Sequence, residues 1–280
     1  MQIAFSPCPN DTFVFHALVH GRIADAPQFD VTYADIDVTN ELAASGRGLD
    51  VMKISYAALP WVPEDYALLP CGGALGRGCG PLVLTAEAAD GADLARLAGR
   101  RVAVPSERST AYLLFRLWAA QQVPGERPEI VVMPFHEIMP AVRDGLIDAG
   151  LVIHEARFTY GQYGLHQVVD LGSWWERDTG LPIPLGAIIA RRGLDLPALA
   201  GWIRASVEAA WADPAASRDY VMRHAQELSA EVAQSHIDLY VNSYTAELGE
   251  SGCGAIEALL GRAAAEGLVP RIDLAAMRAF

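Results

Sequence analysis

Leu49-Asp50-Val51-Met52-Lys53-Ile54-Ser55 and Ile147-Asp148-Ala149-Gly150-Leu151-Val152-Ile153-His154 are built alike. In each, a helical pattern runs into an Asp, an apolar strand follows, and a single polar residue stands at its carboxyl end. Strands alternating with helices place the chain in the α/β class. In open parallel sheets a ligand sits beyond the carboxyl ends of the strands. Ser55, the stretch from Ser106 to Thr110, and His154 all fall at such ends, and they come from two different units. That convergence implies two α/β lobes around a central cleft.

Working outward, residues 2–6 read as a short strand. Asn10 or Asp11 then caps a helix with Phe13, Ala17 and Leu18 on its apolar side, ending at Gly21. Residues 29–37 alternate as a strand, with Val31, Tyr33 and Asp35 on one face, and residues 41–46 form a short helix. Ser55 is placed to cap a helical turn over residues 56–59. After a glycine-rich stretch at 72–80, residues 81–85 read as a strand crossing out of the first lobe. Helix over 93–97, strand over 101–104, amphipathic helix over 111–121, strand over 129–133, helix over 138–144 and strand over 149–153 follow. Residues 186–190 cross back. From Pro197 the pattern is helical, with Trp202, Val207, Trp211, Tyr220, Ile237, Tyr240 and Leu259 at apolar positions. The lobes are thus expected over 1–86 with 188–280, and over 87–187.

The chain's 280 residues are 52% apolar and 20% charged, enough for large buried cores. A net charge of −13, with basic residues never more than two in a row, argues against a nucleic-acid partner. Residues 1–7 lack a basic segment followed by an apolar one, and no stretch approaches the roughly 18–20 apolar residues of a spanning helix. A cytoplasmic protein with reduced thiols at Cys8, Cys71, Cys79 and Cys253 is expected, and no membrane partner. The sequence leaves monomer and homodimer open.

Ser55, Ser109 and Thr110 each precede a helix, whose first amides and positive dipole end can hold an anion without net positive charge. The same residues serve equally as ordinary N-caps. Lys53 either adds a full charge to such a site or lies on a strand surface. His154, at a strand end, is either a general base or a histidine satisfied by the fold. Glu155 is not expected to orient it, because neighbours in a strand face opposite ways. His16 and His20 stand four apart on one helix, but no third metal ligand accompanies them. The glycines at 72, 73, 76, 78 and 80 fit neither nucleotide-binding pattern. Trp174-Trp175, read as lying in a loop between Gly172 and Gly180, either wall a ligand or pack a hinge.

Five blocks carry a resemblance. They are Ser6-Pro7-Cys8-Pro9-Asn10-Asp11-Thr12-Phe13, Lys53-Ile54-Ser55-Tyr56-Ala57-Ala58-Leu59, Ser106-Glu107-Arg108-Ser109-Thr110-Ala111, Ile153-His154-Glu155-Ala156-Arg157-Phe158-Thr159-Tyr160, and Gly180-Leu181-Pro182-Ile183-Pro184-Leu185-Gly186. In this order they resemble the 1,4-dihydroxy-6-naphthoate synthases of the futalosine route to menaquinone. The first and fourth blocks are the specific ones. The resemblance implies a periplasmic-binding-protein-like fold with a helical carboxyl-terminal region. It implies a lyase that converts cyclic dehypoxanthine futalosine, a small anionic substrate, to 1,4-dihydroxy-6-naphthoate without cofactor or metal. It also implies His154 as general base, with Lys53, Ile54, Ser55, Ser109 and Thr110 binding substrate. Cys8 has no place in that reaction, which needs no thiol nucleophile. Chorismate dehydratase of the same pathway shares the fold, and the block at 6–13 argues against it. A non-catalytic solute-binding protein of this fold is normally exported.

Overall fold

A computed structural model describes residues 1–62, 64–88, 94–225 and 229–280. The chain divides into two compact units, Met1–Gly76 with Pro184–Phe280, and Arg77–Ile183. Its strands are β1 (Gln2–Phe5), β2 (Asp30–Tyr33), β3 (Val51–Ser55), β4 (Tyr66–Leu68), β5 (Ala74–Gly76), β6 (Leu82–Thr85), β7 (Arg101–Val104), β8 (Glu129–Val132), β9 (Ala149–Val152), β10 (His166–Asp170) and β11 (Ile183–Arg191).

The sheet of the first unit runs β2-β1-β3-β11-β4, with β5 also on β11. Strands β1, β2 and β3 are parallel, and β11 runs antiparallel to β3 and β4. β3 is buried along its whole length, as a strand covered on both faces must be. The helix Pro9–Val19 packs on this sheet with Leu196–Ala212, and Phe5, Phe13, Phe15, Leu18, Ile188 and Ile203 lie in their shared core. Pro9 occupies the first helical turn, where its missing N–H is no loss. The same helix ends as the sequence suggests. Gly21 takes φ +65°, and the Gly21 and Arg22 amides donate to the Leu18 and Ala17 carbonyls. Further helices at Arg218–His224, Ala230–Tyr240, Ser243–Ala246, Gly249–Ala265 and Leu274–Met277 complete the unit.

The second unit's sheet runs β10-β6-β9-β7-β8, with β9, β7 and β8 parallel and β6 antiparallel to both of its neighbours. Helices Thr110–Gln122 and Phe135–Arg143 follow β7 and β8 in turn. Ile138 and Val142 press on Gly150 of β9 so closely that a Cβ there would sit 2.6 and 2.9 Å from their methyl carbons.

Several local expectations differ from the structure. The expected strand at 29–37 is shorter, and a helix takes over at Ile36–Ala44. The β-branched residues Ile36, Val38 and Thr39 mimic a strand, but burial of Thr39, Asn40 and Ala43 on one helical face decides the outcome. Trp174 and Trp175 lie not in a loop but in the helix Leu171–Thr179, which Asp170 caps and Gly180 ends at φ +72°. Trp175 is fully buried and donates its indole N–H to the Pro182 carbonyl at 3.0 Å. In Leu196–Ala212 the buried face carries Leu199, Ala200, Ile203, Val207 and Ala210, which leaves Trp211 42% exposed. Of the helix expected at 93–97, Asp93 lies outside the described residues, and Leu94–Leu97 is a 3-10 turn.

Candidate active site

In the first unit, β1 and β3 run parallel, so the residues that follow them emerge at the same carboxyl edge of the sheet. Ser6 follows β1 and Ser55 ends β3. Asn10 and Asp11 were expected to cap the first helix, yet they lie inside its first turn, and Asp11 instead becomes the acceptor of a buried polar cluster. It accepts from the Ser6 hydroxyl at 2.8 Å, from the Asn10 amide at 2.8 Å, and from the Lys53 ammonium. The Asn10 carbonyl oxygen in turn lies 3.0 Å from Nε2 of His236, a fully buried histidine on Ala230–Tyr240. Lys53 is the single lysine among 21 basic residues, and the lysine and aspartate side chains are 6% and 3% exposed. A compact ammonium on a flexible stem suits such a spot better than a guanidinium fork. Gly186, paired across the sheet with Ser55, leaves room for that stem, since a Cβ there would lie 2.9 Å from Lys53 Cε. The Lys53 charge is therefore balanced by Asp11 within the fold.

Ser55 does not cap the following turn. Its backbone N–H donates to Asn40 Oδ1 at 2.7 Å and its hydroxyl accepts from Asn40 Nδ2 at 3.0 Å. A hydroxyl that accepts from an amide keeps its own proton for donation. Ile54 is fully buried on β3, so its side chain belongs to the core.

In the second unit, β8, β7 and β9 are parallel neighbours, and their carboxyl ends bring together Phe135, the Ser106–Thr110 segment and His154. Ser109 does cap its helix, accepting from the Tyr112 N–H at 3.1 Å while donating to the Ser106 carbonyl at 2.9 Å. The amino terminus of Thr110–Gln122 therefore lies at this edge. Strand β9 ends at Val152, two residues before His154. His154 has φ +53°, one of two non-glycine residues with positive φ among those described. Such a backbone costs about 1–3 kcal/mol and persists only where surrounding structure holds it. The Phe135 ring stands edge-on to the imidazole, centroids 5.9 Å apart.

Among the described residues no three His, Cys, Asp or Glu side chains are grouped as metal ligands would be. His16 and His20 do come together, with ring centroids 4.5 Å apart, but they form an aromatic cluster with Tyr220. No described helix is long and apolar enough to cross a membrane.

Asp11, Asn40 and His236 were missed as site residues. Asn40 and His236 are brought in from distant segments, and no local pattern marks them. Asp11 stands in one of the two specific blocks, where its position suggests a helix cap. The single lysine in the composition was the available signal.

The sequence profile of the menaquinone biosynthesis family matches residues 1–265. A protein of Streptomyces coelicolor described as 1,4-dihydroxy-6-naphtoate synthase is 70% identical over 275 residues, covering 97% of this chain and 95% of its own. One of Thermus thermophilus with the same description is 47% identical over 271 residues, covering 96% and 95%. Among solved structures, a protein of Archaeoglobus fulgidus superposes with TM-score 0.85 at 34% identity, covering 96% of this chain and 98% of its own. The periplasmic aliphatic sulphonate binding protein of Escherichia coli superposes with TM-score 0.70 at 14% identity, covering 99% and 91%, which shows the fold alone. The fold is therefore periplasmic-binding-protein-like, with two mixed sheets and carboxyl-terminal helices, and the chain belongs to the menaquinone biosynthesis family, among its 1,4-dihydroxy-6-naphthoate synthases.

Proposed function

We propose that this enzyme converts cyclic dehypoxanthine futalosine to 1,4-dihydroxy-6-naphthoate as a cofactor-independent lyase of the cytoplasm, with His154 as general base. The observation that carries the reading is the left-handed backbone of His154 at the carboxyl edge of β9, beside the segment that leads into Thr110–Gln122. Strain of this kind concentrates at catalytic positions. An imidazole has a ring nitrogen that can accept a proton from substrate and pass it on, which suits it to act as a general base.

In this mechanism His154 removes a proton, the sugar-derived portion leaves, and the second ring becomes aromatic. Aromatisation drives the step, so the protein needs to supply a placed base and a fixed carboxylate. The carboxylate is held by a dipole rather than by net charge, at the amino-terminal end of Thr110–Gln122 that Ser109 caps; in the first unit the donor offered is the Ser55 hydroxyl, set by Asn40. Lys53 acts indirectly, because its ammonium pairs with Asp11 and steadies the end of β3 on which Ser55 stands. The test is substrate turnover by purified protein with Ser109→Ala, Thr110→Ala and Ser55→Ala variants. KM should rise with kcat little changed, and unchanged KM in Ser109→Ala and Thr110→Ala would place the carboxylate elsewhere.

A further inference from the structure

We infer that Arg157 and Asp170 are positioning residues for His154, holding the strained turn in which the base sits; this rests on the reading of His154 as base. Ala156–Thr159 is four residues long, too short to be stable by itself, and only Ala156 within it is buried. The Arg157 backbone N–H donates to the His154 carbonyl at 3.3 Å, so the two residues close one turn. From there the Arg157 guanidinium reaches two anchors. It donates to the Gly80 carbonyl, just before β6, at 2.7 Å and to Asp170 Oδ2 at 2.5 Å. The pair is largely buried, with side chains 19% and 11% exposed.

Asp170 is itself fixed. Its other oxygen accepts from the Gly172 and Ser173 amides at 2.9 and 3.0 Å, capping Leu171–Thr179. That helix is docked through the Leu171 N–H to the Pro81 carbonyl at 2.9 Å and through the buried Trp175. Gly80 and Gly172 meet backbone to backbone, and a Cβ on Gly80 would fall 2.1 Å from the Gly172 nitrogen. Strand β6 and the capped helix thus form a rigid seat, and Arg157 ties the His154 turn to it by a planar fork that lysine cannot reproduce. A general base displaced by about 1 Å loses on the order of 10²-fold in rate.

The test compares wild type with Arg157→Ala, Arg157→Lys, Asp170→Asn and His154→Ala, measuring kcat, KM and thermal stability. Asp170→Asn keeps a capping oxygen and removes the charge. The expected result is kcat down by about 10- to 100-fold in Arg157→Ala and about 10-fold in Asp170→Asn, with KM within about threefold. Millimolar guanidinium should restore part of the Arg157→Ala rate and none of the His154→Ala rate. In histidine-labelled protein the His154 Cα and Cβ shifts should leave their left-handed values in Arg157→Ala. Wild-type kcat in Arg157→Ala and Asp170→Asn, with His154→Ala inactive, would overturn the positioning role alone. Loss of rate only in step with the unfolded fraction would do the same. An active His154→Ala would overturn the base reading and this inference with it.

Discussion

Replacing Lys53 by Met should destabilise the first unit severely, because it strands a carboxylate rather than merely deleting a contact. Lys53 and Asp11 side chains are 6% and 3% exposed, so Asp11 cannot turn to water when its partner goes. Breaking a buried pair from one side costs about 3–5 kcal/mol. The bonds from Ser6 and Asn10 remain and hold the loss toward the lower end of that range. At about 2–4 °C per kcal/mol for a unit of this size, the midpoint should fall by on the order of 10 °C. Asp11→Asn should be destabilising too, since it leaves the ammonium unpaired. The double variant should be much less unstable than the sum, with a coupling of about 2 kcal/mol or more. Urea unfolding followed by the fluorescence of Trp61, Trp202 and Trp211, all in the first unit, reads these values in single-tryptophan backgrounds. Because Lys53 is the only lysine of these 280 residues, an amine reagent gives a second readout: Lys53 should stay unlabelled in the native protein and react only on unfolding. A loss below about 1 kcal/mol in Lys53→Met, or strict additivity in the double variant, would refute the reasoning.

Three further outcomes follow from the same structure. Burial, reinforced by His20, Arg22 and Arg223, lowers the His16 pKa from 6.5 to about 4. The folded form therefore binds its proton later than the unfolded chain, so this contribution is complete above about pH 6.5 and is lost as pH falls toward about 4. His16→Gln should flatten the dependence of stability on pH across that window, and an unchanged slope would assign it to other groups. Burial pushes the Cys71 and Cys79 thiols up to about 12, so a thiol reagent at pH 8 should leave both unmodified until the protein unfolds. Gly80→Ala would place a Cβ 2.1 Å from the Gly172 nitrogen, where backbone faces backbone and neither can give way. It should destabilise the second unit by about 3 kcal/mol or more, and a loss under about 1 kcal/mol in thermal unfolding would show that the two segments can separate.

How much of this was legible beforehand varies from element to element. The repeated Asp–strand–polar pattern located β3 and β9 and, for each sheet separately, the end at which Ser55 or His154 follows, because a fully buried parallel strand has few alternatives in sequence. Helix ends marked by glycine were legible for the same reason, as at Gly21. The helix at Ile36–Ala44 was not, since its β-branched residues favour a strand until Asn40 and Ala43 find partners on the sheet. Nor could the sequence show that Ser55 answers to Asn40, or that Lys53 answers to Asp11 across 42 residues. Such pairings depend on which segments become neighbours. The left-handed backbone of His154 was equally invisible, because nothing local to a histidine demands it.

The most direct test is to incubate purified wild-type and His154→Ala protein with cyclic dehypoxanthine futalosine, without added cofactor or metal, and to measure 1,4-dihydroxy-6-naphthoate. The account predicts steady formation by the wild type. It predicts a fall of at least about 10²-fold in kcat for the variant, with KM nearly unchanged. Full turnover by His154→Ala, or no product from the wild type, would contradict it.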